Sequence, residues 1–140
     1  QSISQTQAIF ISRGDDSGTH KKELALWQQA EISPTNLWYL EAGQGMGAVI
    51  TIADEKLAYT LTDRGTYLAF KDKIDLVILN EGDKALFNPY HIIAVNPAKH
   101  KHVQYGLAKK YIDFVTGTEG QALIATYKKH GQQLFYPDAL

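Results

Sequence analysis

Arg13 is placed to meet an anion. It lies in the polar turn Ser12-Arg13-Gly14-Asp15-Asp16-Ser17-Gly18-Thr19-His20, which follows the apolar run Ala8-Ile9-Phe10-Ile11 and leads into a helical segment, Lys21 to Ala30. A strand that ends in such a turn leaves the first N–H groups of the next helix without intrahelical partners, at the positive end of the helix dipole. The arginine adds a planar, permanently charged fork suited to an oxyanion. Candidate ligand-binding residues here are Ser12, Arg13, Ser17, Gly18 and Thr19. The plainer reading is that an arginine in a turn is solvated or salt-bridged, and Asp15 and Asp16 are near enough to pair with it.

A second strand–turn–helix unit follows. Trp38-Tyr39-Leu40-Glu41 runs into the glycine-rich Ala42-Gly43-Gln44-Gly45-Met46-Gly47 and then a helix through Lys56. The glycines lack the spacing of the dinucleotide fingerprint. They predict a tight turn with close helix–sheet packing and, compatibly, a second set of backbone donors at Gln44, Gly45 and Met46 facing the same cleft. Thr62-Asp63 caps a third helix, with Arg64 on its surface.

No catalytic constellation is expected. Asp15, Asp16, Ser17 and His20 are too close in sequence to set a nucleophile, a base and an orienting group. His20 also falls on a helix face with Leu24 and Trp27. His91, His100, His102 and His130 are scattered, and no third ligand stands at suitable spacing for a metal. No cofactor is implied. The tripeptide Arg13-Gly14-Asp15 matches an adhesion motif that is common by chance.

The chain of 140 residues carries 14 basic and 15 acidic residues, a formal net charge of −1, and no cysteine. Near-neutral charge with both signs interspersed gives no whole-surface attraction to nucleic acid, so an anion site must be local. Without cysteine there are no disulfides, thiolate metal sites or cysteine nucleophiles. No run is apolar and long enough to span a membrane. Gln1 to Gln7 is polar and reads as a mature or trimmed end without a signal peptide.

In chain order, the pattern predicts strands at Ala8–Ser12, Trp38–Glu41, Ala58–Leu61, Leu76–Leu79 and His91–Val95. Asp16 or Ser17 opens the first helix, and a loop over Ile32 to Asn36 closes that unit. The third helix ends at Phe70. Alternation of strand and helix points to an α/β layer fold. After Asn96-Pro97 the rhythm changes to two helices. One runs from about His102 to Thr116, with Val103, Leu107, Tyr111 and Phe114 on one face. The other is opened by a capping box, Thr118-x-x-Gln121, and ends near Lys129 at Gly131. The expected division is an α/β lobe at 1–97 and helices at 98–140 that pack on something else.

Five segments carry a family likeness: Ser12 to His20, Trp38 to Gly47, Tyr59-Thr60-Leu61-Thr62-Asp63-Arg64-Gly65-Thr66-Tyr67, Leu86-Phe87-Asn88-Pro89-Tyr90 and Gly120-Gln121-Ala122-Leu123-Ile124. In this order the chain resembles the tungstate-binding proteins of ABC importers. The resemblance implies an α/β fold, one lobe of a type II periplasmic binding protein-like fold with C-terminal helices. It also implies that Arg13 contacts the oxyanion. The family's N-terminal lobe, with its threonine/serine-rich anion motif, has no counterpart here, so a closed site is not expected from one copy of this chain.

The resulting expectation is a non-enzymatic binding module for tungstate or molybdate. Its partner would be an ABC permease in the full-length form, its location periplasmic or extracellular. Two alternatives remain open at this point. One is a phosphate-handling enzyme using the same cradle, with Asp15 or Asp63 as base. The other is an assembly role in which a homodimer covers exposed helix faces.

Overall fold

The structure, a computed structural model, describes residues 2–35 and 37–139. Backbone contacts divide the chain into two units, Gln1–Leu86 and Phe87–Leu140. The first unit is built on a parallel sheet of three short strands: β1 (Phe10–Ser12), β2 (Tyr39–Glu41) and β3 (Tyr59–Thr60), in the order β2-β1-β3. Between and after them run α2 (Gly18–Gln29), α3 (Met46–Glu55) and α4 (Arg64–Phe70), and a short α1 (Ser2–Thr6) precedes the sheet.

Alternation along β1 explains the layering. Phe10 points to one face and packs with Trp27 of α2, Trp38 and Tyr39. Ile11 points to the other and packs with Met46, Val49 and Ala53 of α3 and with Ala58. A central strand covered by helices on both faces must be apolar throughout or have its polar groups satisfied. The aromatic side interlocks edge to face, with Phe10 and Trp27 ring centres 5.2 Å apart and Trp27 and Trp38 5.5 Å apart. Each large apolar side chain so buried contributes about 1.5–3 kcal/mol. The α/β expectation is borne out, as are the caps on α2 and α4: Ser17 accepts from His20 N–H, and Asp63 from Thr66 N–H.

Several local expectations need correction. Leu76–Leu79 and His91–Val95 form no strands; no ladder partner lies beside either among the described residues, and an extended segment without one gains no hydrogen bonds from being extended. Leu24 is 44% exposed, and Glu23 shares the buried stripe of α2 with His20 and Trp27 instead. Ser2–Thr6 is helical, with Ala8 N–H donating to the Ile3 carbonyl at 3.1 Å. Asn36, the last residue of the expected loop, lies outside the described residues, as does Gln1.

The second unit holds α5 (Tyr105–Thr116) and α6 (Thr118–Thr126). No residue of α5 is buried, and Leu107, Tyr111 and Phe114 are all exposed. The capping box does not form: Gly117 is the N-cap of α6, and Gln121 turns its amide to the Val115 carbonyl at 2.8 Å. The helix also stops before Lys129. Lys128–Lys129 (β4) and Gln132–Gln133 (β5) pair as an antiparallel hairpin across His130 and Gly131, both at positive φ. Two such residues make the tight hairpin turn that matches strand twist. None of the described helices is long and apolar enough to cross a membrane.

Candidate anion-binding site

The register of the parallel sheet places Ser12 beside Glu41 and Ile11 beside Thr60. All three strands therefore end at one edge, and the turns 13–17, 42–45 and 61–63 that start the helices lie along it. That carboxyl edge is where open α/β sheets present ligands with helix N-termini.

Arg13 is half-buried in the first turn. Its Nε and Nη2 donate to Asp15 Oδ2 at 2.9 and 2.6 Å. Asp15 in turn accepts the Ser17 N–H at Oδ1, 3.2 Å away. Hydrogen bonding from Ser17, then from Arg13, holds its carboxyl at about 2 against an ordinary 3.8, outweighing desolvation. Asp15 thus takes the Nε–Nη2 edge of the guanidinium, and none of the bonds described is made by Nη1. Asp16 pairs with Lys21 at 3.4 Å. Gly14 has φ +59, and a Cβ there would stand 2.6 Å from Glu41 Cβ, so the turn needs glycine both for its backbone and for the close approach of β2.

Ser12 is fully buried. On the Phe10 face of β1, its hydroxyl donates to Glu23 Oε2 at 2.8 Å and accepts the Gly14 N–H at 3.2 Å. Ser17 is occupied as the cap of α2, whose next two N–H groups belong to Gly18 and Thr19. At the second turn Gln44 and Gly45 are exposed, while the Met46 side chain is buried in the core. Gly45 caps α3 without any side-chain bond, which leaves the first N–H groups of that helix unmet by a side chain. Ala42 N–H donates to the Ser12 carbonyl at 2.9 Å and ties the two turns together. Along the same edge, Asp63 is consumed in capping α4 and Arg64 pairs with Glu81 at 2.6 Å. Asp15 and Asp63, the two bases an enzymatic reading needs, are both engaged. No group of three or more His, Asp or Glu among the described residues is arranged to hold a metal.

The sequence profile of the PBP superfamily domain matches residues 1–119. The chain belongs to that superfamily. A tungstate-binding protein TupA from Peptoclostridium acidaminophilum is 48% identical over 139 residues, taking in 98% of this chain and 49% of that protein. TupA from Campylobacter jejuni is 45% identical over 142 residues, 98% of this chain and 53% of its own. Among solved structures, the tungstate ABC transporter from Geobacter sulfurreducens superimposes with a TM-score of 0.81 at 62% identity, covering 89% of this chain and 53% of that one. TupA from Desulfovibrio alaskensis gives 0.76 at 41% identity, covering 99% and 58%. The resemblance to tungstate-binding proteins is thereby borne out, and the chain spans about half the length of the curated relatives it matches.

Two residues of this PBP-superfamily edge escaped sequence reasoning. Glu23 is buried and accepts from Ser12 Oγ, from Trp27 Nε1 at 3.1 Å and from Tyr39 Oη at 2.7 Å. Burial, with Glu23 beside it, pushes the Tyr39 hydroxyl well above its ordinary value. The signal for Glu23 was its place three residues after His20 and four before Trp27, on one helical face. Glu41, which ends β2, lies 3.7 Å from His20 Nε2.

Proposed function

We propose that this chain supplies one α/β lobe of a receptor for a tetrahedral oxyanion, tungstate or molybdate, in the substrate-binding component of an ABC importer. The observation that carries the reading is Arg13 at the mouth of α2, with the Nε–Nη2 edge of its guanidinium braced by Asp15 and Nη1 outside those bonds. The names of the relatives point to the same cargo. In this reading the Gly18 and Thr19 N–H groups, and those of Gln44, Gly45 and Met46, replace the anion's water shell. Ser12 and Ser17 act from behind, one holding Gly14 and the other capping α2. Neutral donors plus one cation suit a dianion, because they attract it without an excess of fixed charge that would trap it. Tungstate differs from sulfate in size and not in charge or shape, so selection rests on the dimensions of the closed cavity.

The division of labour follows. Residues 1–97 form the α/β lobe, and the helices of 98–140 pack against the half of the receptor that the relatives possess beyond this match. The complete receptor works in the periplasm or outside the cell and delivers its anion to a permease. In the chain by itself, the exposed helix faces favour a homodimer.

A thermal-shift titration with tungstate, molybdate, sulfate and phosphate tests the reading, since a ligand that binds the native state raises its melting temperature. It is run on this chain and on the chain joined to the remaining half of a relative. A tungstate-selective shift is expected, with Arg13→Ala weakening binding roughly tenfold to a hundredfold, the worth of charge-assisted hydrogen bonds. The absence of any anion-dependent shift in the joined form overturns it.

A further inference from the structure

We propose that His20 is the positioning residue of the Arg13 turn and makes oxyanion affinity depend on the protonation of its own imidazole. This rests on the reading of that turn as the anion cradle. His20 is the third residue of α2 and only 9% exposed. Its Nδ1 accepts the Asp16 N–H at 3.0 Å. Asp16 sits at φ 58, in the left-handed region that aspartate enters more readily than most non-glycine residues but that still calls for a local bond to hold it. The imidazole supplies the bond that holds it there. With Asp16 fixed, the chain from Arg13 to Ser17 is pinned at both ends, by Gly14 on Ser12 and by Asp16 on His20.

That bond dictates the tautomer. A nitrogen that accepts an N–H carries no proton, so the proton of the neutral ring lies on Nε2. Nε2 is the buried side-chain nitrogen left without a hydrogen-bond partner among the described residues. Glu41 Oε1, 3.7 Å away, is too far to accept but near enough to stabilise a cation. The neutral ring therefore makes one bond and forgoes another. Protonation reverses the balance: Nδ1 gains a hydrogen that faces the Asp16 N–H, the anchor is lost, and the imidazolium is drawn to Glu41.

The surrounding charges do not compete for the ring. On its own turn and helix, Asp16 is paired with Lys21 and Asp15 with Arg13. Glu23, one helical turn on, is occupied by Ser12, Trp27 and Tyr39. Glu41 of β2 is the carboxylate that faces Nε2, and it offsets the new charge. The mechanical effect then decides the sign: acidification loosens the turn that carries Arg13 and lowers oxyanion affinity.

The test compares the wild type with His20→Asn and His20→Leu at about pH 8 and about pH 5.5, either side of the range over which imidazoles change charge. Asparagine can place an oxygen near the position of Nδ1 and does not titrate; leucine offers no acceptor. Tungstate affinity is measured calorimetrically on the chain joined to the remaining half of a relative. Wild-type affinity is expected to fall roughly three- to tenfold on acidification, the worth of one hydrogen bond. His20→Asn should bind as the wild type does at the higher pH, with that fall abolished, and His20→Leu should bind weakly at both. In parallel, the Asp16 amide resonance should move together with the His20 ring signals in the wild type and stay fixed in His20→Asn. Identical pH profiles in wild type and His20→Asn overturn the inference, as does an Asp16 amide that ignores the ring titration. Failure of tungstate to bind the wild type at any pH overturns the functional reading and the affinity claim together, and the amide titration alone then decides whether His20 holds the turn.

Discussion

A carboxylate inside a protein survives by being surrounded with donors, and Glu23 has three of them from three different elements. Its removal strands all three at once. Glu23→Ala is expected to cost about 3–5 kcal/mol of stability, read as the shift in urea midpoint, because buried donors without acceptors carry their full desolvation penalty. Glu23→Gln should cost less, about 1–3 kcal/mol, because one oxygen remains while the amide nitrogen faces a hydroxyl. Asp15 makes a prediction in pH. Its native carboxyl is held at about 2 against an ordinary 3.8. A depressed native value gives stability that is present above the unfolded value and lost as pH falls through the native one. Unfolding midpoints of wild type and Asp15→Asn should therefore differ above about pH 4 and converge towards about pH 2, the wild type being the more stable where they differ. Equal midpoints at neutral pH would show that the Ser17 and Arg13 contacts add nothing in water.

Strand, turn and helix act as a unit at the proposed cradle, and glycine is where the unit is least forgiving. Gly14→Ala places a Cβ on backbone at φ +59 and drives it into Glu41 Cβ, so β2 or the turn must move. A loss of roughly 2 kcal/mol or more is expected, from backbone strain plus overpacking. Weakened anion binding should accompany it, whereas Gly43→Ala, with open space around its Cβ site, should meet only the backbone term. How far these elements were legible depended on whether their signals were local. Ser17 and Asp63 declare helix starts within three residues, and the glycine turn before Met46 declares another, so α2, α3 and α4 were foreseen closely. Arg13 was singled out by its turn, but its pairing with Asp15 over Asp16 was not decided by spacing. Glu23 was missed because its role depends on Ser12 and Tyr39, which approach it only across the sheet, whereas His20 lies buried on the face with Trp27 that helical spacing gives it. The hairpin after Thr126 was missed because Gly131 reads equally as the stop of a helix and as half of a two-residue turn.

Across the molecule, the apolar residues fall into two populations. Those between Phe10 and Leu68 that form the core are nearly all sealed, while Val77 is 70% and Ile93 84% exposed, with Leu79 and Val95 also open. Segments of strand-like composition left so open have the pattern of strands whose ladder is completed elsewhere. The relatives are about twice as long as this chain, and the prediction is that the part of them beyond this match completes it. Hydrogen exchange reads this directly, because protection reports hydrogen bonds that must break before an amide is exposed. In the 140-residue chain, the amides of Phe10–Ser12 are expected to exchange slowly and those of 76–79 and 91–95 nearly as fast as in an unfolded peptide. Joined to the remaining half of a relative, both segments should gain protection while β1 changes little. If the exposed helix faces make the chain alone self-associate, its sedimentation should depend on concentration, and the joined form should lose that dependence. If 76–79 and 91–95 are already protected in the dilute, monomeric chain, their partners lie within it. The second half would then be needed for closing the anion site and not for completing the sheet.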